Sequence, residues 1–256
     1  EMKCTANDFL NTLDSYYEMY DEPFGDSSGI PTFLVSKLAR EKVTVSLSAD
    51  GGDEIFGGYD RYSSISNIYG KLRFIPLPLR KMLGAAVSSM SISQIDSLVR
   101  TFLNGVDTNG LDWRIPKLVN GLKASSQIDF YSNTSCTVDD VKLGKLHRYA
   151  AADIYFPEKE LFNNQFIFSS LGKVDVKSYL EGDILTKVDR ATMKVALEGR
   201  EPLLDHTLVE FGLSLPDKFK SRNGKNKWLL REILYKYIPK EIVDRPKRGF
   251  SIPVKK

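Results

Sequence analysis

The chain has 256 residues, of which 42% are hydrophobic and 27% charged, a composition typical of globular proteins with a sizeable core. The 36 basic and 33 acidic residues give a net charge of only +3, which favours neither a nucleic-acid nor a membrane partner. Two cysteines are too few for a disulfide scaffold, and no apolar run is long enough to cross a bilayer, so we expect a cytoplasmic protein.

The chain opens with the pattern of two helices and a strand. Apolar side chains at helical spacing predict a helix over residues 5–20, with Asn7 as its N-cap. Pro23 ends this helix, and a second helix is predicted from Ile30 to Arg40. Residues 43–47 are rich in β-branched side chains and predict a short buried strand. A helix that leads into such a strand is typical of α/β proteins.

An acidic, glycine-rich loop follows the predicted strand. Asp50, Asp53 and Glu54 place three carboxylates within five residues, and the two glycines between the aspartates permit a tight turn. Ligands of open α/β sheets bind outside the carboxyl ends of strands, where neighbouring carboxylates repel unless a cation balances them. The loop is either such a ligand site or a solvated turn. A second glycine pair and a tyrosine at 57–59 favour the site, because a plain turn does not require them.

From residue 59 to about residue 175 the pattern is mainly helical and carries no recognisable chemistry. The clearest helix is predicted over Leu79–Met90. Tyr62, Tyr69 and Phe74 are interpreted as packing residues rather than as a platform for a ligand. No repeat or low-complexity linker marks a domain boundary here.

Residues 178–206 form a second informative stretch. A helix is predicted from about Asp183 to Leu197, and the spacing of Asp183 and Lys187 permits an ion pair across one turn. Taken alone, this pattern indicates a solvated charged helix face. Beyond the helix, three charged side chains are interpreted as buried structural ion pairs rather than as catalytic groups: Glu198, Arg200 and Asp205.

The third informative stretch covers residues 223–232. Gly224 predicts a turn and a helix begins near Asn226, so Lys225 and Lys227 lie at its first turn. Cations are mildly unfavourable at a helix N-terminus unless an anion is shared there, and phosphate suits that position. The stretch is therefore either a phosphate-binding element or a loop of solvated lysines.

These stretches together resemble one known family. The run from Ser48 to Tyr59 is similar to the S-G-D/E-G-G/S-D-E-L-F-G-G-Y signature of the synthetase domain of glutamine-hydrolysing asparagine synthetases, with Ala49 in place of the usual glycine. Further segments match the family's patterns at residues 20–24, 178–205, 223–232 and 244–253. The resemblance is dense over residues 20–60 and 178–253 and weak between them.

The resemblance implies a helix-rich α/β fold, the C-terminal part of a parallel-sheet ATP-pyrophosphatase domain of the adenine nucleotide α-hydrolase type. Residues 1–60 would be the end of the α/β nucleotide-binding core, and residues 61–256 a mainly helical part that contributes Lys227 to the site. The implied reaction is ATP-dependent amidation of a carboxylate through an acyl adenylate, most commonly aspartate to asparagine. Ammonia would come from an N-terminal glutaminase domain, and a homodimer is compatible with the family.

The family's roles carry over to the matching positions of this chain. Asp53 would hold Mg²⁺, with Glu54 as a weaker ligand, and Asp50 would lie at the adenylation and amidation centre. The nucleotide of ATP would contact the first residues of the loop, Ser48, Ala49 and Gly51. Lys227 would offset phosphate charge, with Lys225 as the alternative because the spacing differs by one residue from that of some members.

Two parts of the family pattern do not occur in the sequence, the S-G-G-x-D-S pyrophosphate loop and the cysteine-led amidohydrolase. The chain is therefore interpreted as beginning inside the synthetase domain, after the first strands of its sheet, and is expected to be inactive alone. Two alternatives stay open. One is an amidotransferase that acts on a sugar or another carboxylate, and the other is a non-catalytic scaffold that keeps the fold.

Overall fold

The computed structural model describes residues 5–102, 110–135 and 166–245. Two compact units make up the chain: a discontinuous unit of residues 1–59 and 168–256, and a helical unit of residues 60–167. The described residues form many helices and a small parallel sheet, which confirms the predicted helix-rich α/β class. None of the helices in these ranges is both long and apolar enough to span a membrane.

The N-terminal part of the discontinuous unit contains α1 (Ala6–Tyr16), α2 (Gly29–Arg40), β1 (Val45–Leu47) and α3 (Gly52–Phe56). Helix α1 begins with a capping box, in which Thr5 and Asp8 each accept a hydrogen bond from the backbone amide of the other. The prediction of Asn7 as the N-cap is therefore wrong, because the chain is already helical at that residue. The second predicted helix is confirmed as α2.

The helical unit contains α4 (Asp60–Leu72), α5 (Leu77–Ser88), α6 (Ile92–Phe102), α7 (Leu111–Leu122) and α8 (Gln127–Ser135). Helix α7 packs against α5 and α8, and α4 packs against α8. Tyr62 is fully buried, and Tyr69 donates its hydroxyl to the carbonyl of Ser125, which confirms that both are packing residues. The packing role predicted for Phe74 is wrong, because it lies in the turn after α4 and is 77% exposed.

The C-terminal part of the discontinuous unit contains helices, one strand and one β-hairpin. They are α9 (Ile167–Asp175), a π-helix (Val176–Leu185), α10 (Thr186–Met193), β2 (Glu198–Arg200), a 3₁₀ turn (Pro202–Leu204), α11 (His206–Ser214), α12 (Asp217–Lys220), the hairpin β3 (Ser221–Arg222) and β4 (Lys225–Asn226), α13 (Trp228–Leu234) and α14 (Lys240–Val243). The helix predicted to reach Leu197 stops at Met193. The reason is Ala196, whose left-handed φ of 54° turns the chain into β2.

Strands β1 and β2 form a parallel pair, with Val45 opposite Glu198 and Leu47 opposite Arg200. The prediction that β1 is buried is wrong, because Val45 is 37% and Leu47 is 71% exposed. In the described ranges β1 has only β2 as a hydrogen-bonded neighbour. The sheet face that carries these two side chains is therefore open to solvent.

The core of the discontinuous unit surrounds α3. Helix α3 packs against the π-helix, α11 and α13, and α2 packs against α10. Ile55 on α3 and Leu171 on α9 are both 0% exposed. Because α3 is anchored on several sides, the loop that joins it to β1 is held in one position.

Candidate active site

The acidic loop joins β1 to α3 at the carboxyl end of the parallel strand pair. The amide of Ser48 donates to the carbonyl of Arg200 at 2.9 Å, which extends the strand pairing by one residue. The Ser48 hydroxyl donates to Asp50 Oδ2 at 2.5 Å and accepts from the Asp50 amide at 3.2 Å. These bonds fix the Asp50 carboxylate at the start of the loop. Ala49 lies between the two bonded residues.

The loop requires glycine at position 51. Gly51 has a left-handed φ of 84°, a conformation that side chains disfavour. A Cβ built there would lie 2.1 Å from Leu204 Cδ2, so the 3₁₀ turn leaves no room for one. The glycines read from the sequence therefore allow the acidic loop to close against the turn that follows β2.

Asp53 and Lys227 meet across the site. Lys227 Nζ lies 3.0 Å from Asp53 Oδ1, and the two side chains are 26% and 30% exposed. The two residues lie far apart in sequence, one on the first turn of α3 and the other between β4 and α13. The ammonium group of Lys227 thus lies at the acidic loop, and both side chains are exposed enough for a ligand from solvent to contact them.

The second glycine pair makes space for this ion pair. A Cβ at Gly58 would lie 1.8 Å from Asp53 Oδ1 and 2.3 Å from Lys227 Cε. The Gly58 amide also donates to the carbonyl of Asp53 at 2.8 Å, which closes the chain tightly after α3. The physical use of this glycine is therefore to let the lysine and the carboxylate approach each other.

Glu54 points into the protein and not into the site. Its side chain is 1% exposed, and its Oε1 accepts the Tyr59 hydroxyl at 2.5 Å. Burial raises the pKa of Glu54, although the hydrogen bond from Tyr59 opposes that shift. Burial and the contact with Glu54 also raise the pKa of Tyr59, whose ring packs edge-on against Tyr179. This arrangement anchors the closing tyrosine of the loop.

The two lysines near the hairpin have different partners. Lys225 lies on β4, is 55% exposed and donates to Asp244 Oδ2 at 2.8 Å. Lys227 follows β4 with a left-handed φ of 53° and reaches Asp53. Of the two candidates from the sequence, Lys227 is the one that the structure brings to the acidic loop.

Lys187 has a partner that the helix pattern does not reveal. Its Nζ donates to Asp26 Oδ2 at 2.6 Å, and the two side chains are only 12% and 18% exposed. Burial alone would raise the pKa of Asp26, but hydrogen bonds from Lys187 and Ser28 outweigh it and lower the pKa. The sequence predicts that Asp183 could pair with Lys187. Burial, and then the charge of Asp26, raise the pKa of Asp183.

The buried ion pairs predicted after α10 are wrong. Arg200 Nε does bond Glu198 Oε1 at 2.7 Å, but these side chains are 61% and 56% exposed. Asp205 instead caps α11, where it accepts the Thr207 amide at 3.0 Å. The prediction failed because β2 lies at the exposed side of a two-stranded sheet, so its outward side chains remain in water.

One acidic residue near the loop escaped the sequence analysis. Burial raises the pKa of Glu201, and the nearby carboxylates of Asp50 and Asp189 add to the shift. Together with Asp189 and Glu198, it lines a cleft of about 550 Å³ beside β2. The signal was available, because Glu201 follows β2 as Ser48 follows β1, and parallel strands end at the same edge.

The described residues contain no group of three or more histidine, cysteine or carboxylate side chains poised around a metal ion. This does not conflict with the donor set of the loop. Asp50 and Asp53 supply carboxylate oxygens, and Mg²⁺ typically binds one or two protein carboxylates together with substrate phosphates rather than a full protein cage. The two carboxylates of the loop are therefore chemically suitable ligands for a magnesium ion.

The fold and the site together define a helix-rich α/β protein with a mixed-charge site at the end of a parallel strand pair. A sequence model of the asparagine synthase family matches residues 1–256. The chain therefore belongs to the asparagine synthase family, which confirms the resemblance identified from its motifs.

Individual relatives agree with this assignment. The chain is 30% identical over 255 residues to asparagine synthetase [glutamine-hydrolyzing] 1 of Bacillus subtilis, a match that covers 98% of this chain and 37% of that protein. It is 46% identical over 72 residues to the human asparagine synthetase [glutamine-hydrolyzing], covering 27% of this chain and 13% of that protein. The chain spans little more than a third of the length of the Bacillus protein. No solved structure matches it.

Proposed function

We propose that this chain carries the ATP-dependent centre of a carboxylate-amidating ligase that converts aspartate to asparagine. A carboxylate oxygen of the substrate attacks the α-phosphorus of ATP, the bond to the β-phosphate breaks, and pyrophosphate leaves. Ammonia then attacks the acyl carbon, the bond to AMP breaks, and the nitrogen loses a proton. The observation that carries the proposal is Lys227 Nζ held 3.0 Å from Asp53 in the acidic loop.

Lys227 is the group that stabilises developing phosphate charge. Positive groups already in place where negative charge develops are among the largest contributions to catalysis. The Asp53–Lys227 ion pair is partly exposed, so a nucleotide can exchange this contact for one with phosphate at low cost. Asp53 would hold Mg²⁺, which when bound neutralises the triphosphate. Buried Glu54 supports the loop through Tyr59 and is not proposed as a ligand.

Asp50 is the residue for the second half of the reaction. Its carboxylate lies at the first turn of the loop and is oriented by the Ser48 hydroxyl. A carboxylate within hydrogen-bond reach of the attacking nitrogen can accept its proton. Ser48, Ala49 and Gly51 form the backbone edge along which the nucleotide is proposed to lie.

We further propose that the β1–β2 pair belongs to a larger parallel sheet of the ATP-pyrophosphatase type. Support comes from Leu47, which is 71% exposed on β1, and from relatives nearly three times as long as this chain. In the complete protein, residues 1–60 would close the nucleotide-binding core, and the mainly helical residues 61–256 would add β2 and Lys227 to that core. Ammonia would be supplied by glutamine hydrolysis, which the relatives' names specify.

The test is pyrophosphate release by the complete gene product that contains this chain, with ATP, Mg²⁺ and ammonia supplied. We expect release to depend on aspartate and to decrease by on the order of 10²- to 10³-fold in Asp50→Asn and Lys227→Ala. The control is Lys236→Ala, which removes an exposed lysine beyond α13. Folding should be preserved, because a partly exposed ion pair contributes only about 1 kcal/mol or less to stability.

Two other outcomes would change the proposed function. Release that needs another carboxylate, such as a sugar acid, would replace aspartate but keep the reaction. Binding of ATP without release under any acceptor, or full activity in Lys227→Ala, would contradict the proposed reaction.

A further inference from the structure

Lys227 adopts an unusual backbone conformation that needs external support. Its φ of 53° lies in the left-handed region, which non-glycine residues seldom occupy. It is the residue between β4 and α13, so its φ and ψ set the direction in which the side chain leaves the hairpin. Conformations of this kind persist where surrounding contacts impose them. The contacts that impose this one are therefore relevant to the site.

One carboxylate joins the segments on both sides of Lys227. Asp244, just after α14, accepts Lys225 Nζ on Oδ2 at 2.8 Å. Its Oδ1 accepts Arg231 Nη1 at 2.7 Å and the Tyr235 hydroxyl at 2.6 Å. One donor, Lys225, thus precedes Lys227 in the chain, and the other two, Arg231 and Tyr235, follow it.

A second bond tightens the same bridge. Arg231 Nε donates to the carbonyl of Asn226, the residue directly before Lys227, at 2.9 Å. Hydrogen bonds between charged groups are shorter and stronger than neutral ones. Hydrogen bonds from Lys225, which has the largest effect, and from Tyr235 lower the pKa of Asp244 to about 2. The carboxylate is therefore ionised at neutral pH.

We infer that Asp244 is a positioning residue that holds the hairpin so that Lys227 points at Asp53. The inference rests on the proposed function of Lys227, but its geometric part does not need the reaction. Asp244 acts through Lys225 and Arg231, which flank the lysine on either side. It is not assigned any contact with substrate.

Zero-length carbodiimide cross-linking of the complete protein tests the geometry. The reagent joins a carboxylate and an amine only where they touch, so the native protein should give an Asp53–Lys227 linked peptide by mass spectrometry. Losing a charge-assisted hydrogen bond shifts a local equilibrium by about tenfold, and we expect a similar decrease of this product in Asp244→Ala. The matched control is Glu241→Gln, which removes a carboxylate from an exposed position on α14. It should leave the yield unchanged.

A second variant covers the case in which Asp244→Ala does not fold. Tyr235→Phe removes one donor to the same carboxylate, keeps the ring, and should lower the yield by a smaller factor. Thermal unfolding identifies which variants are folded at the temperature of the experiment. An unchanged yield in a folded Asp244→Ala, or in Tyr235→Phe where Asp244→Ala is unfolded, would overturn the inference.

Kinetics separate this inference from the proposed function. If the complete protein releases pyrophosphate, Asp244→Ala should lower kcat by on the order of 10- to 100-fold, as expected for a misplaced group, with little change in KM for ATP. Asp244→Glu should restore part of the rate. If the native protein releases none, the proposed function fails, while the cross-link still decides the role of Asp244.

Discussion

Replacing Lys220 with methionine should stabilise the protein, because the native side chain is a buried cation. Lys220 is the last residue of α12, is 0% exposed, and has no hydrogen-bond partner for Nζ among the described residues. Burial lowers its pKa from 10.5 to about 8, although the charge of Asp217 opposes the shift. Methionine has nearly the same length and no charge, so it removes the cost of burial and keeps the packing.

The size and sign of the effect follow from the pKa. A decrease from 10.5 to about 8 corresponds to about 3 kcal/mol of destabilisation while Lys220 is protonated in both states. Between pH 8 and 10.5 the unfolded chain binds the proton and the folded protein does not. The free energy of unfolding contributed by this group therefore rises with pH across that window.

Urea unfolding at several pH values measures the effect. At pH 7 we expect Lys220→Met to be more stable than the native protein by about 3 kcal/mol, with the difference disappearing towards pH 10.5. Lys236→Met is the control, because it removes an exposed lysine and should shift stability little at any pH. A Lys220→Met variant that is less stable than the native protein at pH 7, or a difference that does not change with pH, would show that the charge of Lys220 does not destabilise the folded protein.

Two further substitutions test other parts of the molecule. Gly58→Ala places a Cβ 1.8 Å from Asp53 Oδ1, so it should displace this carboxylate and lower pyrophosphate release at least about tenfold, with little change in melting temperature. Gly182→Ala, where nothing lies within 4 Å of the added carbon, is the control, and equal rates in the two variants would contradict the geometry. Asp26→Asn removes the carboxylate that the largely buried Lys187 bonds, while the charge of Asp183 remains nearby, and should cost about 1–2 kcal/mol in urea unfolding. A change below about 0.5 kcal/mol would show that Asp183 or water already satisfies this lysine.

The local features of the site were predictable from sequence because each has a short-range cause. The acidic loop follows a strand, and its first glycine is required by the left-handed φ of 84° at Gly51. Gly224, with a φ of 74°, makes the hairpin turn that the sequence predicts. Such positions depend on the backbone within a few residues, and glycine marks them directly.

The failures share a different cause, the contacts between residues far apart in sequence. The pattern of β1 indicates burial, but whether Leu47 is buried depends on which strands and layers lie beside it. Lys187 pairs with Asp26, 161 residues away, and not with a neighbour on its own helix. The sequence favours Lys227 over Lys225 only through the family pattern, because the approach of Lys227 to Asp53 joins residues far apart in the chain. Spacing along the chain carries no information on any of these.

An oxygen-18 transfer experiment distinguishes an acyl adenylate from an acyl phosphate as the intermediate formed at this site. The complete protein is incubated with ATP, Mg²⁺, ammonia and aspartate labelled with oxygen-18 in its side-chain carboxylate. The mechanism predicts one labelled oxygen in the AMP that is released, and loss of this product in Lys227→Ala. Label in inorganic phosphate together with ADP would show attack at the γ-phosphorus and would rule out the acyl adenylate.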